Sequence, residues 1–245
     1  MKIKFLSAVA ALAVAGAAQS AYADTAPTPE FTVTGSAAFV TDYKFRGISQ
    51  TDSRPTGQAS ITITDKSGFY VSAWGSGNSF NDGSEIDIYG GYSHTFKNGI
   101  TLDGGVYGYL YPNYSADNSY ELYVDASKAF GPVGVKVGLN YAPAQPYFTS
   151  YENELAHYNM YEYAELTFTP ATMPALTLHG HIGHTGGGFD IGKSYEDFAV
   201  GVGYKWKNLT FDVSGVGTDV STENAGSYYR HLARSTAVFS ITASF

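Results

Sequence analysis

The chain has 245 residues, with 14 basic and 22 acidic side chains, 28 glycines, 21 tyrosines, 15 phenylalanines and no cysteine. A formal net charge of −8 argues against nucleic acid or an anionic lipid headgroup as partner. The missing cysteines exclude a disulfide framework and a thiolate metal site, and the aromatic and glycine enrichment favours strands over helices.

The first element is a leader. In MKIKFLSAVAALAVAGAAQSAYAD, Lys2 and Lys4 precede an apolar run from Phe5 to Ala18 and the small-residue site Ala21-Tyr22-Ala23. This is the layout of a secretory signal, so residues 1–23 are read as a signal cleaved before Asp24 and residues 24–245 as one exported domain. Cleavage removes two of the 14 basic residues and no acid, leaving 12 against 22, a net charge of −10. Nothing downstream approaches the ~20 continuous apolar residues of a membrane helix, so a mature chain that enters a bilayer does so as a barrel.

Beyond the leader, period-2 alternation bounded by turn residues predicts strands over 31–43, 57–64, 69–77, 84–96, 100–111, 120–130, 133–141, 158–169, 175–184, 195–206, 208–217 and 235–245. The fourth and fifth show the pattern best. Ile86, Ile88, Gly90, Tyr92, His94 and Phe96 share one face, Glu85, Asp87, Tyr89, Ser93 and Thr95 the other, and Asn98-Gly99 is a hairpin signal before the alternation resumes at Ile100. Short connections (DKSG, KNG, GP, TPATMP, KN) alternate with longer polar ones near 44–56, 78–83, 112–119, 142–157, 185–194 and 218–234.

Tight turns at one rim and long loops at the other define the expected fold class: all-β, a closed antiparallel transmembrane β-barrel of about 12 strands, with short periplasmic turns and long outer loops. Counts of 10 or 14 stay open, because 112–119 and 218–234 could hide or extend strands. The competing fold is a secreted β-sandwich whose aromatics form a core. Aromatic placement favours the barrel: Phe31, Phe69, Phe96, Phe130, Phe168 and Trp206 all stand beside the short turns on the apolar face, as a periplasmic girdle requires. Tyr43, Tyr120, Tyr141 and Tyr158 have the parity for an outer girdle.

The chain ends in AVFSITASF, with Phe245, Ala243, Ile241, Phe239 and Ala237 on the lipid-face parity and Val238 as an exception. This ending resembles the C-terminal signal by which bacterial outer-membrane proteins are recognised by the barrel assembly machinery, with Phe239, Ile241 and Phe245 as its residues. The stretch TGSAAFVTDYKFRGISQTDSRPTGQASI, from Thr34 to Ile61, resembles the N-terminal signature of the TorF porin family, also known as the Gcw_chp conserved hypothetical proteins. The motif residues are Asp42, Tyr43, Phe45, Arg46 and Gly47, then Arg54, in the first outer loop, and GFYVSAWGS, EIDIYGGY and ITASF extend the likeness along the mature chain. The resemblance implies an outer-membrane barrel of a Gram-negative bacterium; it supplies no mechanism and no catalytic or binding residue.

For chemistry, the lumen parity collects Glu85, Asp87, Asp103, Glu121, Asp125, Glu165, Asp197 and Asp212 against Lys136 and Lys205, and an acidic interior favours cations. Arg46, with Lys44 and Arg54, either sets a local field at the mouth or lumen, or pairs with a lumen carboxylate and pins the loop. His179 and His181 share a face with Glu165 while His184 faces away, so no third ligand is fixed for a metal. Histidines lining the lumen are the simpler reading. No GxSxG elbow is present, HTGGG has no helix behind it, and DNSYE and DVSTEN lack the spacing of a calcium loop. Neither an enzyme nor a cofactor or metal site is expected.

The expected function is a porin-like channel for passive passage of small hydrophilic solutes or ions, with cation preference. Two alternatives stay open: a plugged structural or surface-binding barrel, and a lipid-modifying outer-membrane enzyme. The expected partners are outer-membrane lipid, the assembly machinery and the solute.

Overall fold

A computed structural model describes residues 30–79, 83–112, 114–147, 157–189, 193–221, 226 and 229–245; the leader read from the sequence lies outside them. The strands are β1 (Phe31–Val40), β2 (Lys44–Phe45), β3 (Ile48–Ser49), β4 (Thr56–Asp65), β5 (Phe69–Gly77), β6 (Ser84–Thr95) and β7 (Thr101–Leu110). They continue with β8 (Ser119–Phe130), β9 (Val133–Ala142), β10 (Asn159–Phe168), β11 (Leu176–Gly187), β12 (Tyr195–Trp206), β13 (Leu209–Thr218) and β14 (Thr236–Ser244). Twelve of these, β1 and β4 to β14, close into an antiparallel barrel in chain order, β1 pairing with β4 on one side and β14 on the other. The short β2 and β3 pair only with each other. Residues 112–119 contribute a 3-10 turn, Ser115–Asp117, and no additional barrel strand among the described residues.

Alternation turns the barrel inside out relative to a soluble core. The largest exposed apolar side chains, such as Val33, Ile61, Ile88, Leu122, Leu166, Val200 and Ile241, all face outward. Phe31, Phe69, Phe96, Phe130, Phe168, Trp206 and Phe245 ring the short-turn rim on that same outer face. Tyr120, Tyr141 and Tyr158 stand exposed near the long-loop rim. Ten residues separate Tyr158 from Phe168 along β10. At ~3.3 Å per residue and a tilt of ~40° that is a rise of about 25 Å, the height of an outer-membrane apolar band.

The seam between β1 and β14 shows why the chain ends on an aromatic. Gly35 and Phe245 exchange both backbone hydrogen bonds, at 2.9 and 3.0 Å, so the final residue extends the last pairing beyond Ser36–Ser244. A Cβ on Gly35 would stand 2.6 Å from Phe245 Cζ, so the far edge of the terminal ring lies over the glycine, where a side chain would otherwise stand. Val238, the exception to the alternation, points inward opposite Ser214.

Twelve strands ~4.8 Å apart at a tilt of ~40° give a backbone circumference of about 75 Å and a radius of about 12 Å. That leaves more interior than wall side chains alone fill. The first strand stops at Val40, before the expected 43, because Thr41 to Tyr43 turn inward. Tyr43 is therefore not part of an outer girdle: it is 3% exposed and lies within the barrel.

Candidate functional site

The segment between β1 and β4 is an outer connection by topology, yet Asp42 to Thr51 are all buried inside the barrel. Strands β2 and β3 form a hairpin whose two-residue turn is Arg46-Gly47, with φ of 43° and 78°. Positive φ at both positions is the signature of a type I′ turn, which matches strand twist and puts glycine in demand at the second place. A Cβ on Gly47 would also collide with Thr218 and stand 2.9 Å from the Gly217 carbonyl, so the turn presses against β13.

Asp42 organises the hairpin. Its Oδ1 accepts hydrogen bonds from Ser49 Oγ at 2.5 Å and Thr51 Oγ1 at 3.0 Å, and its Oδ2 lies 3.7 Å from Lys44 Nζ. The Gln50 amide donates to the Tyr43 carbonyl at 2.7 Å, closing the hairpin on itself. Lys44 then reaches the carbonyls of Leu232 and Arg234, at 3.3 and 3.0 Å, tying the hairpin to the segment before β14. Burial pushes the Lys44 ammonium down from its ordinary value, with Asp42 opposing.

Two apolar clusters lie inside the outer half of the barrel. Tyr43 and Phe45 pack with Trp74, Tyr109, Tyr111, Ala142, Tyr147 and Phe189; Ile48 packs with Tyr195, Val220, Leu232 and Ala233. Phe45 meets Phe189 edge to face with centroids 5.2 Å apart, and Tyr43 meets Trp74 at 5.3 Å. The family motif is thus a small soluble-type core carried inside a membrane barrel.

Arg46 crosses the lumen from the hairpin tip to Glu121 on β8. One nitrogen, Nη2, reaches both carboxylate oxygens, at 2.9 and 2.7 Å. Arg46 is 2% exposed and Glu121 0%, and the guanidinium carbon also lies 4.1 Å from the Tyr161 ring centroid. Because a single nitrogen serves both oxygens, this is not the fork-on-fork pairing that uses an arginine fully. Nε and Nη1 are buried and find no hydrogen-bond partner within the protein. An unsatisfied buried donor costs about 1–3 kcal/mol, more for a charged group. Glu121 is better served, accepting also from Tyr109 at 3.0 Å and Asn140 at 3.2 Å.

The other lumen carboxylates follow a common pattern. Glu85 accepts from Tyr43 and Tyr111, Asp87 from Tyr107, Asp103 from Tyr70, Asp125 from Tyr163 and Asp197 from Tyr161. The remaining two have histidine partners: His179 Nε2 lies 2.7 Å from Asp212, and His181 lies 3.6 Å from Glu165 and 3.1 Å from Asp197. His184 faces outward with Glu196, 4.0 Å away. Among the described residues no group of three or more His, Cys, Asp or Glu is arranged to hold a metal ion.

The ten charged residues of the inner-face parity fall into two levels. Glu85, Asp87, Glu121 and Asp197 are fully buried around the hairpin. Asp103, Asp125, Lys136, Glu165 and Asp212 are partly exposed on the inner wall nearer the short turns, with Lys136 3.3 Å from Asp125, and Lys205 is exposed. Arg54 is apart from the other two loop bases: its side chain points to solvent and pairs with Asp52 at 3.2 Å.

Charge parity alone did not reveal the tyrosine partners, although Tyr107, Tyr109 and Tyr111 share the acidic face of one predicted strand. Nor did it reveal their seats. A Cβ on Gly183 would stand 2.6 Å from the Tyr161 ring, one on Gly201 2.5 Å from His179, and one on Gly91 2.8 Å from the Tyr123 hydroxyl. Gly183 and Gly201 therefore leave room for a ring from the neighbouring strand, and Gly91 for a tyrosine hydroxyl from two strands away, placements that single-strand alternation does not encode.

In known structures, the chain is similar to the NanC porin in a rhombohedral crystal form, with a TM-score of 0.60 at 12% identity, covering 87% of this chain and 99% of that one. It is similar also to the KdgM porin, with a TM-score of 0.55 at 12% identity, covering 87% and 98%; KdgM is also seen in complex with disordered oligogalacturonate. At these identities the likeness establishes the fold, a porin-type closed barrel. No curated protein matches the sequence. Residues 24–245 match the profile of the bacterial proteins of unknown function called Gcw_chp, and the chain belongs to that family.

Proposed function

We propose that this protein is an outer-membrane channel for passive passage of small hydrophilic solutes or ions, with preference for cations. The observation that carries this reading is the inner wall, where Asp103, Asp125, Glu165 and Asp212 stay partly accessible below the hairpin while the middle of the outer face is mainly apolar. A hydrophilic path inside an apolar band is what a passive channel requires, and acidic walls favour cations. The KdgM complex supports a hydrophilic solute for a barrel of this fold. Its oligogalacturonate is a polyanion, which the acidic wall here would repel, so the solute class for this chain is neutral or cationic. The leader of residues 1–23 and the terminal Phe245 support export and recognition by the assembly machinery of a Gram-negative outer membrane.

The test is unitary current from the purified, folded protein in a planar bilayer under a salt gradient. Stable steps whose reversal potential reports cation preference support the channel. A second reading is favoured by the hairpin and its two clusters, which fill the outer half of the interior: a plugged barrel that presents its loops. Silence from a demonstrably inserted barrel selects that one.

A further inference from the structure

We propose that the hairpin Asp42–Thr51 is a releasable gate, latched shut by Arg46 on Glu121. The inference rests on the channel reading, and three features of the hairpin carry it. First, it is built as a unit: the Asp42 bonds to Ser49 and Thr51 and the Gln50 amide bond to Tyr43 are internal, so they survive a displacement. Second, it hangs from the adjacent ends of β1 and β4, where Val40 faces Thr56, and its return limb holds Asp52 and Ser53 at φ of 54° and 58°. With Arg46 at 43°, three of the four non-glycine residues of positive φ among the described residues fall within this one connection. Backbone held in such conformations collects in segments that have two arrangements.

Third, the docked state leaves hydrogen-bonding capacity unused. Arg46 Nε and Nη1 and Gln50 Oε1 are buried with no hydrogen-bond partner from the protein, and all three would face water on release. What holds the hairpin against this tendency is one cross-lumen ion pair, the Lys44 bonds to two carbonyls, the Ser79 amide and hydroxyl bonds to the Gln50 carbonyl, the Tyr43 hydroxyl on Glu85, and the packing of Tyr43, Phe45 and Ile48. The ion pair is the contact of the turn itself with the far wall. Weakening it shifts the equilibrium toward the displaced hairpin and an open outer half.

The chain has no cysteine, so a single Ile48→Cys substitution places a unique thiol at a position that is 6% exposed when the hairpin is docked. The full mature protein carrying it is folded into lipid vesicles, its folded state is checked by heat-modifiable gel migration, and it is labelled with a membrane-impermeant maleimide. Glu121→Gln in that background keeps the side-chain shape and removes the charge, and labelling should accelerate about tenfold. Arg46→Gln is the second latch variant, read in the same way if Glu121→Gln does not fold. Equal labelling rates with and without the latch overturn the gate, as does a thiol that is already fully reactive with the latch intact. Labelling reports hairpin position whether or not current flows, so a failed gate is distinguishable from a failed channel, which bilayer silence alone reveals.

Discussion

The Arg46–Glu121 pair makes a quantitative demand on stability that a double-substitution cycle can check. Glu121→Leu leaves a guanidinium at 2% exposure among Phe45, Tyr161 and Phe189 with no carboxylate, and strips Tyr109 and Asn140 of their acceptor. Breaking a buried pair from one side costs about 3–5 kcal/mol. Arg46→Met should cost less, about 1.5–3 kcal/mol, because Glu121 keeps two neutral donors. The double variant Arg46→Met/Glu121→Leu should recover most of the loss, since apolar replacements of similar volume remove both desolvated charges and the unused guanidinium donors together. Urea unfolding in lipid vesicles gives the energies. The two tryptophans separate the events: Trp74 packs against Tyr43 inside the barrel and Trp206 stands on the lipid-facing rim. If the hairpin leaves before the barrel unfolds, Trp74 responds at lower urea than Trp206, and the apparent loss is capped at the free energy of hairpin docking. Additive single effects, or equal costs for the two single substitutions, would refute the account of an asymmetric, desolvated pair.

Ion preference should answer to the accessible acids rather than the buried ones. Asp125→Asn and Glu165→Gln should move the reversal potential toward anions, more so for Asp125 because it also frees Lys136, while Asp87→Asn should leave it nearly unchanged. Gly47→Ala puts a Cβ into a φ of 78° against β13 and should cost at least ~1–2 kcal/mol of hairpin docking, seen as a shift in Trp74 emission without loss of the folded barrel. Gly35→Val should drive Phe245 off the seam, lowering stability by about 1–3 kcal/mol and the folded fraction by gel migration; an unchanged folded fraction would show that the terminal ring has no seat there.

Much of the barrel was legible because its signals are local. Alternation, turn chemistry and the aromatic rim at Phe31, Phe69, Phe96, Phe130, Phe168, Trp206 and Phe245 each depend on a few neighbouring residues, and the observed strand limits differ from the expected ones by at most three residues. The interior was less legible, because its contacts join residues far apart in the chain. Arg46 to Glu121 spans 75 positions and Lys44 to Arg234 spans 190. The one misplaced girdle residue follows from the same cause. Tyr43 has lipid-face parity only if β1 continues, and what ends β1 is the inward hairpin, whose anchors lie on β6, β8 and the segment before β14.

A membrane barrel also loosens the usual bond between interior packing and survival of the fold. In a soluble domain, an unused donor or a strained turn in the core weighs against the only reservoir of stability. Here the outer face meets lipid and each barrel strand is paired on both sides, so the hydrogen-bonded closure of the twelve-stranded wall does not run through the hairpin. Interior residues are then free to hold a costly arrangement. The motif from Asp42 to Thr51 uses that freedom: it places a charge, strained backbone and two aromatic anchors in the lumen, outside the ladder of strand pairs that closes the barrel.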